Sequence, residues 1–283
     1  MASYRKAHRI AVISGKGGVG KTVITANLAA ALADANNRVL VLDADLGLAN
    51  LDIILGLNPK HTLQDIFQGS RRPDEVLIKT EKGFDLLPAG SGLHKNTVLT
   101  KNLAEKMEAI LTDLEDRYDV ILFDAGAGLG EVVLFFASLA HQILVVVTPE
   151  PTALMDAYAS IKVLKQHYKK NNFLLLVNQA NPNHPDRIGT TVARHLQGVI
   201  SKFFDAGESP PVYLQLIGSL PQDPAVPRSV KNRQLLFEIC PPAVSAGCVS
   251  MIANNLRTNF RDAPSAGLES RPLEEPVVSG SAK

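Results

Sequence analysis

The chain is short of cysteine, of net charge and of long apolar runs, and each shortage removes a class of function. Two cysteines in 283 residues, Cys240 and Cys248, are too few and wrongly placed for a disulfide framework or a four-ligand metal site. With 29 Lys and Arg against 28 Asp and Glu, there is no basic surplus to attract nucleic acid, so no direct nucleic-acid contact is expected. No unbroken apolar run reaches transmembrane length. Residues Met1 to His8 are short, polar and basic, unlike a secretory leader. The C-terminal region carries no tyrosine cluster, and no internal repeat is visible. The expectation is a cytoplasmic protein in a reducing compartment.

What is present is an α/β pattern. Apolar runs of strand length recur at 10–14, 38–42, 84–87, 119–123, 142–147, 173–178 and 212–218. They are rich in Val, Ile and Leu and barely alternate, as strands buried on both faces do. Helical patterns fall between them at 22–35, 103–117, 131–140, 152–168 and 188–204. Alternating strands and helices predict a mostly parallel sheet flanked by helices on both faces, with ligands at the carboxyl ends of the strands. The reading assigns 1–8 to a short basic segment and 9–260 to a single domain. Residues 261–283 carry Pro264, Pro272 and Pro276 among serines, glycines and glutamates, and are expected to form a disordered tail.

The most informative stretch is Ser14-Gly15-Lys16-Gly17-Gly18-Val19-Gly20-Lys21-Thr22-Val23, between the first strand and the first helix. Strand, glycine-rich loop and helix in that order form a phosphate-binding P-loop. Glycines admit positive φ and let backbone N–H groups approach phosphate oxygens, and the helix N-terminus adds partial positive charge. Gly15, Gly17, Gly18, Val19, Gly20, Lys21, Thr22 and Val23 are therefore the expected nucleotide-binding loop. Lys21 is to reach the β and γ phosphates, and the Thr22 hydroxyl is to ligate Mg²⁺.

Aspartates end two later strands. Asp43 and Asp45 follow the second, and Val120-Ile121-Leu122-Phe123-Asp124 has the Walker B form, with Asp124 expected to bind Mg²⁺ through a water. An aspartate there can orient an attacking water or hold a metal-bound one; capping of the following helix is the other use for Asp43 and Asp45. Residues 125–130, Ala-Gly-Ala-Gly-Leu-Gly, read as a flexible loop. Asn178 ends a strand without the lysine and aspartate of the guanine-reading N-K-x-D motif, and its amide can pair with adenine, so ATP is favoured over GTP.

Lys16, a second lysine just after the first glycine, gives the loop the form K-G-G-x-G-K-T. This resembles the deviant Walker A signature of the MinD/ParA-type P-loop ATPases. The resemblance implies a homodimer that closes on ATP, in which Lys16 crosses to the partner's phosphates; a solvated loop lysine serving its own subunit is the alternative. Residues 43–52, Asp-Ala-Asp-Leu-Gly-Leu-Ala-Asn-Leu-Asp, match the D-x-D-x-G-L-x-N-L-D switch of MinD-type members. By position, Asp45 orients water and Asp43 supports the magnesium shell, or the two exchange roles. Ala125 replaces the usual threonine of the second switch. Ser219-Leu220-Pro221-Gln222-Asp223 resembles the adenine-flanking P-x-D segment, which implies nucleotide contact by Pro221 and Asp223; a turn role for Pro221 stands beside it.

Within the family, residues 88–92, Pro-Ala-Gly-Ser-Gly, and 148–158, beginning Thr-Pro-Glu-Pro-Thr, resemble the FlhG/FleN regulators of flagellar number. The resemblance covers about 9–260. It implies slow regulatory ATP hydrolysis with Mg²⁺, and a flagellar partner that is a transcription activator or an FlhF-like GTPase. The D-Q-A-x-x-L-R helix of members that stimulate the GTPase does not match residues 1–8, which favours the activator. Glu150 is to meet nucleotide or the dimer partner, or simply to begin a helix. In the C-terminal helix 243–260, Val249, Ile252, Leu256 and Phe260 share one face near Arg257 and Arg261. Packing on the domain is the commoner fate of such a stripe; weak peripheral contact at the inner membrane or cell pole is the alternative. A stripe through Leu154, Ile161, Leu164 and Tyr168 is likewise read as core. A membrane-cycling division-site protein and a metabolic phosphotransferase are the competing functions.

Overall fold

Strands whose side chains are apolar on both faces need a helical layer above and below. The computed structural model, which describes residues 6–46, 50–90, 100–204, 210–239 and 244–262, meets that need. The chain runs β1 (His8–Ser14), α1 (Lys21–Asp34), β2 (Val39–Ala44), α2 (Leu51–Leu55), α3 (Leu63–Phe67), α4 (Pro73–Val76), β3 (Ile78–Lys79), β4 (Asp85–Leu87), α5 (Lys101–Leu114), β5 (Val120–Ala127), α6 (Glu131–Leu139), β6 (Gln142–Val147), α7 (Pro151–Tyr168), β7 (Asn172–Ala180), α8 (Pro185–Phe204), β8 (Tyr213–Pro221), α9 (Ala225–Asn232), α10 (Leu236–Ile239) and α11 (Val244–Asp262).

The strands form one sheet in the order β3-β4-β2-β5-β1-β6-β7-β8. Neighbours are parallel except β3 and β4. β1 lies between β5 and β6, so strand order reverses beside it and leaves a crevice at the carboxyl ends, where the P-loop follows. Along β1, Ala11 and Ile13 face a core shared with α5, α6, α7 and α8. Ile10 and Val12 face the opposite core, with α1, α2, α10 and α11.

All seven expected strands are present, 142–147 with its bounds unchanged and the others with altered ends. β5 runs on through Asp124 to Ala127, where Ala127 pairs with Ser14, so residues 125–127, read as loop, are strand. The two-residue β3 and the short α2, α3, α4 and α10 escaped the sequence pattern, because four or five residues hold too little periodicity to register. Residues 47–49, 91–92, Cys240 and 263–283, which carried expectations, lie outside the described residues, as does the Arg261 side chain. Cys248 is a free, half-buried thiol on α11.

The C-terminal stripe packs inward. Val249, Ile252 and Leu256 join the core around α1, and Phe260 stacks on His8 at 4.6 Å between ring centroids. A membrane contact through that stripe would have to unpack it. The α7 stripe also packs: Ile161 and Leu164 are buried, with Leu154 and Tyr168 against the same core. Leu256 is fully buried, so Leu256→Ala is expected to destabilise the protein by about 2–5 kcal/mol through lost transfer energy and a residual cavity. Urea unfolding measures this, and a midpoint equal to wild type would mean α11 is not docked. Among the described residues no helix is long and apolar enough to cross a membrane.

Candidate nucleotide site

The site begins where β1 hands over to α1. Gly20 sits at φ 89°, in the left-handed region, and a Cβ there would stand 2.5 Å from the Asn178 amide nitrogen. That nitrogen donates to the Val19 carbonyl at 2.8 Å. Asn178 therefore braces the P-loop from the end of β7. At the loop's start a Cβ on Gly15 would lie 2.3 Å from the Asp156 carbonyl carbon and 2.4 Å from its oxygen. The P-loop thus rests directly on the backbone of α7. The Ser14 hydroxyl donates to the Lys16 carbonyl at 3.0 Å, and the Gly128 amide to the Ser14 carbonyl at 2.9 Å, tying the loop after β5 to the same turn.

β2 and β5 pair in register with Asp43 opposite Asp124, and both carboxylates are buried. Lys21, at the start of α1, points its ammonium at Asp124 Oδ1, 2.6 Å away. Thr25, one turn along α1 and fully buried, places its hydroxyl 3.0 Å from the same oxygen. Asp43 Oδ1 accepts from the Asp45 amide at 3.1 Å, and Oδ2 from the Leu51 amide at 3.4 Å, so Asp43 also steadies the first turn of α2. Asp45 is half-buried at the crevice rim, its carboxyl 3.6 Å from where a Gly126 side chain would start. Thr22 and Val23 follow Lys21 in the first turn of α1, both half-buried.

Two buried carboxylates side by side raise the cost of ionising both, and the Lys21 ammonium pairs with Asp124. Burial, reinforced by the Asp124 charge, pushes the Asp43 carboxyl up to about 8, against the lowering pull of the Asp45 and Leu51 amides and Lys21. The folded protein therefore holds a proton on Asp43 that the unfolded chain releases above 3.8. Asp43's contribution to stability is complete below that value and lost as pH rises through about 8. In EDTA, urea midpoints are expected to fall from pH 5 to pH 8 and Asp43→Asn to flatten the fall; equal slopes would show that Asp43 is ionised throughout. Oxygen donors of this kind suit a hard divalent cation such as Mg²⁺, and Thr22, Asp43 and Asp124 are the residues that could hold one.

Lys16 lies at the rim with its ammonium 3.1 Å from Glu150 Oε2, both side chains about half exposed. Glu150 is the residue preceding α7; its pairing with Lys16 is a contact that sequence spacing of 134 residues gave no means to foresee. Pro221 ends β8 opposite Ala180 rather than turning the chain. Asp223 accepts from the Ala225 amide at 2.8 Å and the Ser245 amide at 3.2 Å, joining the starts of α9 and α11. Burial pushes its carboxyl up, but those donors prevail and hold it below the usual range. Ala125 is fully buried. Thr25 was missed, although its position four residues after Lys21 on a helix was a usable signal.

A groove of about 490 Å³ opens at the other end of the sheet, lined among others by Arg38, Asp74, Asp85, Arg117 and Tyr118. Several of its polar groups pair with one another or with neighbours: Arg38 with Asp119 at 2.8 Å, Arg117 with Asp74, and the Tyr118 hydroxyl with Asp85 at 2.7 Å.

Residues 7–176 match the family described as an AAA domain. The chain is 37% identical to the antiactivator FleN of Pseudomonas aeruginosa, over 90% of this chain and 88% of that protein. It is 30% identical to the flagellum site-determining protein YlxH of Helicobacter pylori, over 92% of this chain and 87% of that one. The crystal structure of the cell-division ATPase MinD of Pyrococcus furiosus superposes with a TM-score of 0.72 at 26% identity, covering 89% of this chain and 99% of that one.

Proposed function

From the premise that the chain belongs to the MinD/ParA-type P-loop ATPases, on the branch of the flagellar regulators FlhG and FleN, we propose that it is an ATP-driven dimerisation switch governing flagellar number and placement. ATP and Mg²⁺ are the ligands of this family. The observation that carries the switch reading is Lys16. The loop has a buried lysine, Lys21, for its own phosphates, and a second at the rim held by one exposed ion pair. Such a pair is worth about 0–1 kcal/mol, so Lys16 is easily released to a second copy's phosphates.

Thr22, Asp43 and Asp124 would hold magnesium, which, bound with ATP, would neutralise phosphate charge. Lys21 moves from Asp124 to the β and γ phosphates. Asp45, at the rim beside Gly126, holds the attacking water by accepting its hydrogen bond. Hydrolysis is slow, because the output is the lifetime of the dimer. FleN is named as an antiactivator, which supports restraint of a flagellar transcription activator as this protein's output. A membrane-cycling role finds less support, since the α11 stripe is already buried.

Asp45→Ala is expected to trap the ATP-bound dimer, with turnover reduced about 100-fold or more, on the scale of a lost catalytic proton-transfer group. Light scattering and phosphate release report the two effects, and rapid turnover in this variant would place water orientation elsewhere. Deleting the gene and counting flagella tests the cellular role: an unchanged number would refute it. Co-sedimentation with anionic liposomes and ATP would reveal a membrane-cycling protein instead.

A further inference from the structure

Thr25 has one hydroxyl proton and two acceptors at the same distance, the Lys21 carbonyl and Asp124 Oδ1, each 3.0 Å away. A bond back to the carbonyl four residues earlier is the ordinary habit of threonine in a helix. The carboxylate is the stronger acceptor, because a hydrogen bond to a charged group is roughly twice as strong as one between neutral groups. Asp124 Oδ1 also takes the Lys21 ammonium at 2.6 Å. When Lys21 turns to phosphate, that oxygen loses its cation, and Thr25 is the donor among its described contacts that stays. Thr25 is fully buried within α1, so water cannot readily replace its hydroxyl.

We propose that Thr25 is a positioning residue that fixes the Asp124 carboxylate for magnesium once Lys21 has left it. The inference rests on Asp124 being a magnesium-side group, as read above. Partners that orient a metal-holding residue typically alter metal affinity 10–100-fold when removed. Thr25→Val keeps shape and burial but deletes the donor; Thr25→Ser restores it.

The test measures a fluorescent ATP analogue binding to the full chain, first in EDTA and then as Mg²⁺ is titrated. Thr25→Val is expected to bind the analogue in EDTA within about twofold of wild type, while needing about tenfold more Mg²⁺ for half-saturation; Thr25→Ser is expected to return near wild type. Wild-type Mg²⁺ demand in Thr25→Val would overturn the inference. So would equal weakening with and without Mg²⁺, or a Thr25→Ser variant as impaired as Thr25→Val, since each indicates packing alone. Asp124→Asn run in parallel separates the two readings: if it keeps wild-type Mg²⁺ demand, the assignment of Asp124 fails, whereas if it alone responds, Thr25 is not the positioning group.

Discussion

Gly15→Ala is expected to lose nucleotide affinity by about 10–100-fold while the sheet stays folded. The added Cβ would meet the carbonyl carbon and oxygen of Asp156 at 2.3 and 2.4 Å. These are backbone atoms inside α7, which is anchored at Ala157 and Ile161 in the core, so the helix cannot step aside as a flexible side chain could. The P-loop must move instead. Overpacking of a tight site costs about 1–3 kcal/mol, and every 1.4 kcal/mol taken from the binding-competent loop is about tenfold in affinity. Titration with fluorescent ATP measures the loss, and circular dichroism confirms the fold. Affinity equal to wild type would show that the close approach of α7 to the loop is not needed for binding.

Lys16→Ala is expected to abolish ATP-dependent dimerisation and leave ATP binding by the monomer nearly unchanged. In the single copy Lys16 contributes a half-exposed ion pair to Glu150, so its removal costs the monomer at most about 1 kcal/mol. In a two-fold dimer the same truncation occurs twice, each leaving a desolvated phosphate charge unpaired at a cost of about 2–5 kcal/mol. The product is about 700-fold or more by the same conversion, and no dimer should be seen by light scattering at micromolar protein. Glu150→Gln frees Lys16 without removing it and is expected to dimerise at least as well as wild type. A Lys16→Ala variant that still dimerises with ATP would end the trans role.

The difference between these two lysines shows what a sequence can and cannot disclose. Motif spacing identified both, because a P-loop is local: ten consecutive residues, one strand before and one helix after. The partners were another matter. Lys21 rests on Asp124, 103 residues away, and Lys16 on Glu150, 134 residues away. Asn178 was picked out for its amide chemistry; that its nitrogen donates to the Val19 carbonyl depends on β7 ending beside the loop. Asp223, read by resemblance as a base contact, accepts backbone amides at the starts of α9 and α11.

Composition, periodicity and the loop motif by themselves determined the class of this protein: seven apolar strands, a phosphate loop after the first, and acidic groups near the ends of two others, all features of short stretches of chain. Which strand lies beside which was decided in three dimensions, and with it the pairing of Asp43 with Asp124, the seat of the P-loop on α7 and the burial of the α11 stripe. The reason is physical. Local stretches set backbone conformation and the side on which a residue points, but the protonation of Asp43 and the poise of Lys21 come from burial and from charges brought together by sheet order, which no window of sequence contains.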